Sequence, residues 1–64
     1  MYPESIKSAR LNAKLTQKEV AEALRISQPA IAKWESGEGS KPSISRLIQL
    51  ADLYGTSVDK LIGR

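Results

Sequence analysis

The chain contains no cysteine and no histidine. Disulfides therefore cannot staple it, and nothing in its composition points to an oxidising compartment. A thiolate or imidazole metal site is excluded on the same ground. Phenylalanine is absent, valine stands only at positions 20 and 58, and no stretch alternates apolar with polar residues. A β-sheet is accordingly not expected. No apolar run approaches the roughly 18 residues of a membrane span. The N-terminal MYPESIKSAR lacks the apolar heart of a signal peptide. A cytoplasmic location with no membrane partner is the expectation.

The same gaps argue against an enzyme. No His or Cys is available as base or nucleophile; Ser and Lys are present, but a core this small leaves no room for a substrate pocket. Gly37-Glu38-Gly39 lacks the Lys-Ser/Thr of a phosphate loop and follows a helix, not a strand. No cofactor, metal or small-molecule substrate is expected.

What is present is one small domain, residues 1–64, with 41% hydrophobic residues. That content suits a folded globule. A chain of this size buries only about 60% of its unfolded surface, so its stability is marginal. Ten Lys and Arg against seven Asp and Glu give a net charge of +3 and an isoelectric point of about 9.5. The balance favours an anionic partner.

Apolar residues recur at helical spacing. A first helix is predicted from Pro3 or Glu4 to Ala13, with Ile6, Ala9, Arg10 and Ala13 on one face, so the charge of Arg10 points toward the core side. Residues 15–37, LTQKEVAEALRISQPAIAKWESG, read as two short helices. Thr16 and Glu19 form a T-x-x-E capping box, with Leu15 and Val20 at staple spacing. The helix that follows runs over 17–24 and buries Val20, Ala21 and Leu24. Ser27 can cap the next one, over 28–36, with Ile26 and Ile31 repeating the staple. Pro29 falls in its first turn, where a missing N–H costs nothing. Ile31 and Trp34 are assigned to the core; Trp34 could instead stack on a base, but its spacing favours the core. Gly37 ends the helix in a left-handed conformation.

A polar loop, GEGSKP, covers 37–42. A fourth helix is predicted over about 43–54. Ile44, Leu47, Ile48, Ala51 and Tyr54 form its stripe, widened by Leu50 and Leu53, which suggests a central helix touched on several sides. Gly55 stops it, and Ser57 caps a last short helix over 58–62.

Two capped helices this short, joined by Arg25 and Ile26, meet the needs of a DNA-reading helix-turn-helix over residues 16–36. With Ile31 and Trp34 inside, the third helix turns Gln28, Pro29, Ala32, Lys33 and Ser36 outward. The amide of Gln28 suits adenine N6 and N7, and Lys33 suits guanine O6 or N7 or a phosphate. The Pro29 ring and the Ala32 methyl suit a thymine methyl. Gln28, Pro29, Ala32 and Lys33 are therefore the candidate base readers. Thr16 and Gln17, at a positive helix N-terminus, are candidate backbone contacts, as are Ser27, Ser36, Lys41, Ser43 and Arg46. Each has the plainer reading of a solvated surface residue.

The pattern LTQKEVAEAL-x-IS…IAKWESG, preceded by I-x-x-x-R and followed by P-S-I-x-x-L…A-x-x-Y-G-x-S-V-D-x-L-I, resembles the lambdoid phage repressor and Cro-type (XRE-like) helix-turn-helix family. The likeness runs from Ile6 to Ile62. It implies an all-α, compact five-helix, lambda-repressor-like DNA-binding domain with the helix-turn-helix at helices 2 and 3. It implies that Gln17 touches the DNA backbone, and that Gln28 takes the first base-reading position, with Pro29 and Lys33 next. It also implies that Arg10 and Glu35 form a buried structural ion pair, whose breaking would cost roughly 3–5 kcal/mol. Three features depart from the family pattern. Arg25 stands where the turn usually has Gly, at a cost of roughly 1 kcal/mol if the backbone is left-handed. Lys14 stands where relatives commonly have Gly, and the 37–42 loop is slightly longer.

The leading expectation is a sequence-specific transcription regulator, a phage- or prokaryote-type repressor. It would bind a near-palindromic operator in double-stranded DNA as a homodimer, with half-sites ~34 Å apart. Val58, Leu61 and Ile62 are dimer candidates, or else ordinary core. The alternative is a helix-turn-helix protein-interaction module, partnering a toxin or acting as an anti-repressor partner; exposed apolar surface on the last two helices would favour it. The chain reads equally as a complete small regulator or as the N-terminal domain of a longer one.

Overall fold

A computed structural model describes residues 2–39 and 41–63, the Tyr2 side chain apart. Five α-helices follow one another: α1 (Tyr2–Asn12), α2 (Gln17–Leu24), α3 (Gln28–Ser36), α4 (Ile44–Tyr54) and α5 (Val58–Leu61). The described residues hold no strand. The fold is all-α, as predicted, and measures 27 × 24 × 20 Å.

Most helix ends are set by local chemistry. At the start of α2, Thr16 Oγ1 accepts from the Glu19 N–H at 3.0 Å and Glu19 Oε1 accepts from the Thr16 N–H at 2.9 Å. This is the predicted reciprocal box. Ser43 and Ser57 cap α4 and α5 by accepting from the Arg46 and Lys60 N–H groups. Ser27 does not do this for α3. Its backbone is extended as a cap requires, but its hydroxyl makes no capping hydrogen bond. The reason lies in the sequence. A cap oxygen accepts from the second or third helical N–H. Here the second is Pro29, which has none, and the third, Ala30, donates to the Ser27 carbonyl at 3.2 Å.

Three helix C-termini close with paired backbone bonds around a left-handed residue. After α1 this residue is Lys14 (φ 59°), after α2 it is Arg25 (φ 58°), and after α4 it is Gly55 (φ 66°). In each, the following N–H reaches five residues back: Leu15 to Arg10, Ile26 to Ala21, Thr56 to Ala51. Leu15 and Ile26 then turn inward and pack on the core. α3 ends at Gly37 (φ 79°), where a Cβ would stand 3.1 Å from Pro3 Cγ. Only glycine both adopts that backbone freely and lets α1 approach so closely.

Ile6, Val20, Ile31, Leu50 and Leu61 are fully buried, joined by Ala21, Leu24, Trp34, Leu47, Ala51 and Tyr54. α1 packs on α3, α4 and α5; α2 packs on α3; α4 packs on α5. The predicted stripe of α4 needs correction. Leu47, Leu50, Ala51 and Tyr54 are buried, whereas Ile44 is 65% exposed, Ile48 51% and Leu53 36%. At 3.6 residues per turn the buried four share one arc, with Ile44 and Ile48 beyond one edge and Leu53 beyond the other. α4 packs chiefly on α1 and α5, too few neighbours to cover its flanks.

Candidate nucleic-acid interface

The α2–α3 pair forms from short-range rules. α2 buries Val20, Ala21 and Leu24, and α3 buries Ile31, Trp34 and Glu35. The left-handed Arg25 and the inward Ile26 make the turn between them. Three residues then lock this pair to α1. Arg10 Nε donates to Glu35 Oε2 at 2.7 Å, and Arg10 Nη2 donates to Glu35 Oε1 at 3.2 Å. Arg10 Nη1 donates to the Leu15 carbonyl at 2.8 Å. Both charged residues are buried. The hydrogen bond that Arg10 donates to Glu35 holds its guanidinium above its ordinary pKa, against the opposing effect of burial. A fork-to-carboxylate pair with its third nitrogen also satisfied is the geometry that lets a buried ion pair persist.

Sequence reasoning did not foresee a third partner. Gln17 Nε2 donates to Glu35 Oε1 at 3.1 Å, so α1, α2 and α3 meet at one carboxylate. Tyr54 lies near this cluster. Its hydroxyl is buried and has no hydrogen-bond partner among the described residues. Burial pushes it up to about 12, with the Glu35 charge adding to the shift and Arg10 opposing it.

Of the candidate base readers, Gln28, Pro29 and Lys33 are exposed on α3 and Ala32 is half-buried beside them. Thr16 and Ser27 are exposed at the starts of α2 and α3, and Gln17 is half-buried. The Ser27 hydroxyl, freed from capping, keeps its whole hydrogen-bonding capacity. Ser36 is exposed, but its hydroxyl donates to the Lys33 carbonyl and accepts from the Glu38 N–H, so its proton is committed inside the chain. Lys41 and Ser43 are exposed where the chain enters α4. Arg46 is half-buried and bridges helices: its Nη1 donates to the Leu24 carbonyl at 3.1 Å and to Gln49 Oε1 at 2.9 Å. It satisfies an orphan carbonyl at the end of α2, a role no sequence signal announced.

The last helix ends at Leu61, one residue before the predicted end, so the dimer candidates are Val58 and Leu61 on α5 and Ile62 as its C-cap, and they divide. Leu61 is fully buried in the chain's own core, so it offers no surface to a partner. It belongs with ordinary core. Val58 and Ile62 are half-buried against that core. Among the described residues no group of acidic side chains could hold a metal ion, and no helix is long and apolar enough to cross a membrane.

A capped α2, a left-handed turn and an outward-facing α3 within five helices define a helix-turn-helix domain. Residues 6–61 match the helix-turn-helix family, and the chain belongs to it, in the XRE type. The transcriptional repressor RstR of a cryptic phage in Vibrio cholerae is 36% identical over 61 residues, which cover 95% of this chain and 54% of that protein. The transcriptional activator BcrR of Enterococcus faecalis is 34% identical over 61 residues, covering 95% of this chain and 29% of that one. A transcriptional regulator from Listeria innocua superposes with a TM-score of 0.86 at 31% identity, covering 100% of this chain and 59% of the other. The chain thus spans about half or less of the length of the two curated relatives.

Proposed function

We propose that this chain reads double-stranded DNA sequence for transcriptional regulation, with α3 in the major groove and a near-palindromic operator bound by a homodimer. One observation carries the reading. Gln28, Pro29 and Lys33 are exposed on one helix, and the Arg10–Glu35 pair ties that helix to α1. Rigid presentation of an amide at the start of a helix and an ammonium farther along its exposed side suits major-groove readout. Thr16, Gln17, Ser27 and Ser43 supply hydroxyl and amide groups, and Lys41 an ammonium, for the flanking phosphates. Several relatives carry regulator, repressor or activator names, which supports the class of function and leaves its sign, repression or activation, to experiment.

The test is selection from a randomised duplex library at about physiological salt. An enriched two-fold symmetric site supports the dimeric reader; no enrichment by a folded chain overturns it. Gln28→Ala should then cost about 1–3 kcal/mol on the selected site and relax preference at one base pair. Equal losses on selected and random DNA would remove Gln28 from the readout.

A second reading has its own observation. Ile44 and Ile48, one helical turn apart on α4, are 65% and 51% exposed. Apolar surface at that spacing suits a protein partner, either a second copy or the toxin or anti-repressor partner of an interaction module.

A further inference from the structure

The carboxylate of Glu35 does more than neutralise Arg10. Its Oε2 takes the Arg10 Nε proton, and its Oε1 takes one proton from Arg10 Nη2 and one from Gln17 Nε2. A carboxylate only accepts, and a glutamine amide has one donating and one accepting end. Glu35 therefore fixes which way the Gln17 amide faces: nitrogen inward, never oxygen. That nitrogen carries two protons, of which one bonds to Glu35. Gln17 is half-buried at the first position of α2, among the N–H groups that no helical carbonyl satisfies. The charge on Glu35 also polarises the amide it holds.

We propose that Glu35 is a positioning residue for DNA backbone recognition: through Gln17 Nε2 it orients the second amide proton as a phosphate donor. The buried ion pair then sets, through one carboxylate, both the seat of α3 and the aim of the donor on α2. Base reading and backbone anchoring are held in one register, because one oxygen of the α3 carboxylate accepts from both Arg10 of α1 and Gln17 of α2. This rests on the reading of Gln17 as a DNA backbone contact.

The test compares three backgrounds. Arg10→Met/Glu35→Gln and Arg10→Met/Glu35→Met both lose the ion pair, but the first keeps a side-chain oxygen for Gln17 and the second does not. Gln17→Ala is added to each and to the native chain, and affinity for the selected operator is measured at one salt concentration. A hydrogen bond to a phosphate predicts a loss of about tenfold in the native chain and at least about threefold in the glutamine background. In the methionine background the loss should fall below about twofold, since a free amide has no aim to lose. Equal losses in all three backgrounds overturn the positioning role and leave the DNA contact standing. No loss in the native chain overturns the contact and the proposal together. Should a double variant unfold, the native chain carries the test by NMR. One Gln17 side-chain amide proton protected from solvent exchange and displaced from the ordinary glutamine position before DNA is added, with the other proton shifting on addition of the operator, supports the proposal; two protons at ordinary glutamine positions that exchange freely, or neither moving with operator, overturn it.

Discussion

Arg25 and Lys14 hold left-handed backbone (φ 58° and 59°) at positions where glycine is free of strain. A side chain there costs about 1–2 kcal/mol, and replacing it with glycine gives back about 0.4–1 kcal/mol through the looser unfolded chain. Arg25→Gly should therefore stabilise the fold by about 0.5–1 kcal/mol, raising Tm by about 3–6 °C in a domain this small. A lowered Tm would mean that Arg25 makes a stabilising contact outweighing its strain. Tyr54 is unfavourable in a different way. Its hydroxyl is buried without a described partner and is pushed up to about 12, above the ordinary value of about 10. Folding thus favours the protonated phenol. That contribution is present in full below about pH 10 and is lost as pH rises from about 10 to 12. Stability should fall across that window by on the order of 1–2 kcal/mol, and Tyr54→Phe should flatten the fall without lowering stability at neutral pH. Denaturant melts at neutral and alkaline pH check both; an unchanged alkaline slope in the variant removes Tyr54 as the cause. The strain at Arg25 is legible in the sequence, as a departure from the glycine usual at that turn. The orphan hydroxyl of Tyr54 is not, because it depends on packing that no spacing rule describes.

The helices themselves were legible to within a residue or two at each end, because their signals are local. Capping boxes, staples and terminal glycines act over three to five residues, and α2 and α3 have the bounds the sequence predicts. The errors came where a second local rule intervened or where neighbours decide. Ser27 looks like a cap until Pro29 two residues on is seen to remove the N–H it needs. This separates two apparently equivalent positions. Thr16→Ala should cost about 1 kcal/mol, since the Thr16 side chain makes a real capping bond. Ser27→Ala should cost no more than a few tenths of a kcal/mol, since only an exposed hydroxyl is lost. Equal destabilisation in chemical denaturation would contradict the geometry at the start of α3. On α4 the failure was different in kind. Apolar periodicity names residues able to be buried, while the number of packed neighbours fixes how many are. Ile44 and Ile48 have the right composition but no described helix over them. The same limit applies to the candidate interface. Gln17 could be placed at a helix start from the sequence, yet its bond to Glu35 joins residues eighteen apart, and only the fold brings them together.

At the scale of the whole molecule, the proposed function raises the question of how a 64-residue chain with a net charge of +3 would hold DNA well enough to discriminate. On that proposal, the nine-residue α3 would offer few base contacts, so affinity would have to come from phosphates and from pairing. If a dimer neutralises about 6–8 phosphates, log K should fall against log salt with a slope of about −5 to −7. A monomer should show about half that slope. Apolar surface is available for pairing, but not where the last helix alone would put it. Leu61 is spent on the core, while Ile44 and Ile48 keep more than half of their surface. If these two residues mediate pairing, Ile48→Lys should leave the fold intact, because the site is already solvated. It should also halve the salt slope on a palindromic site and leave half-site affinity nearly unchanged. The measurement is a salt titration of binding to whole and half operators, with sedimentation of the free chain beside it. An unchanged slope with intact dimers would move the pairing surface to Val58 on α5 and Ile62 just after it, both half-buried. A slope already halved in the native chain would mean that 64 residues bind as a monomer, and that the apolar flank of α4 serves another partner.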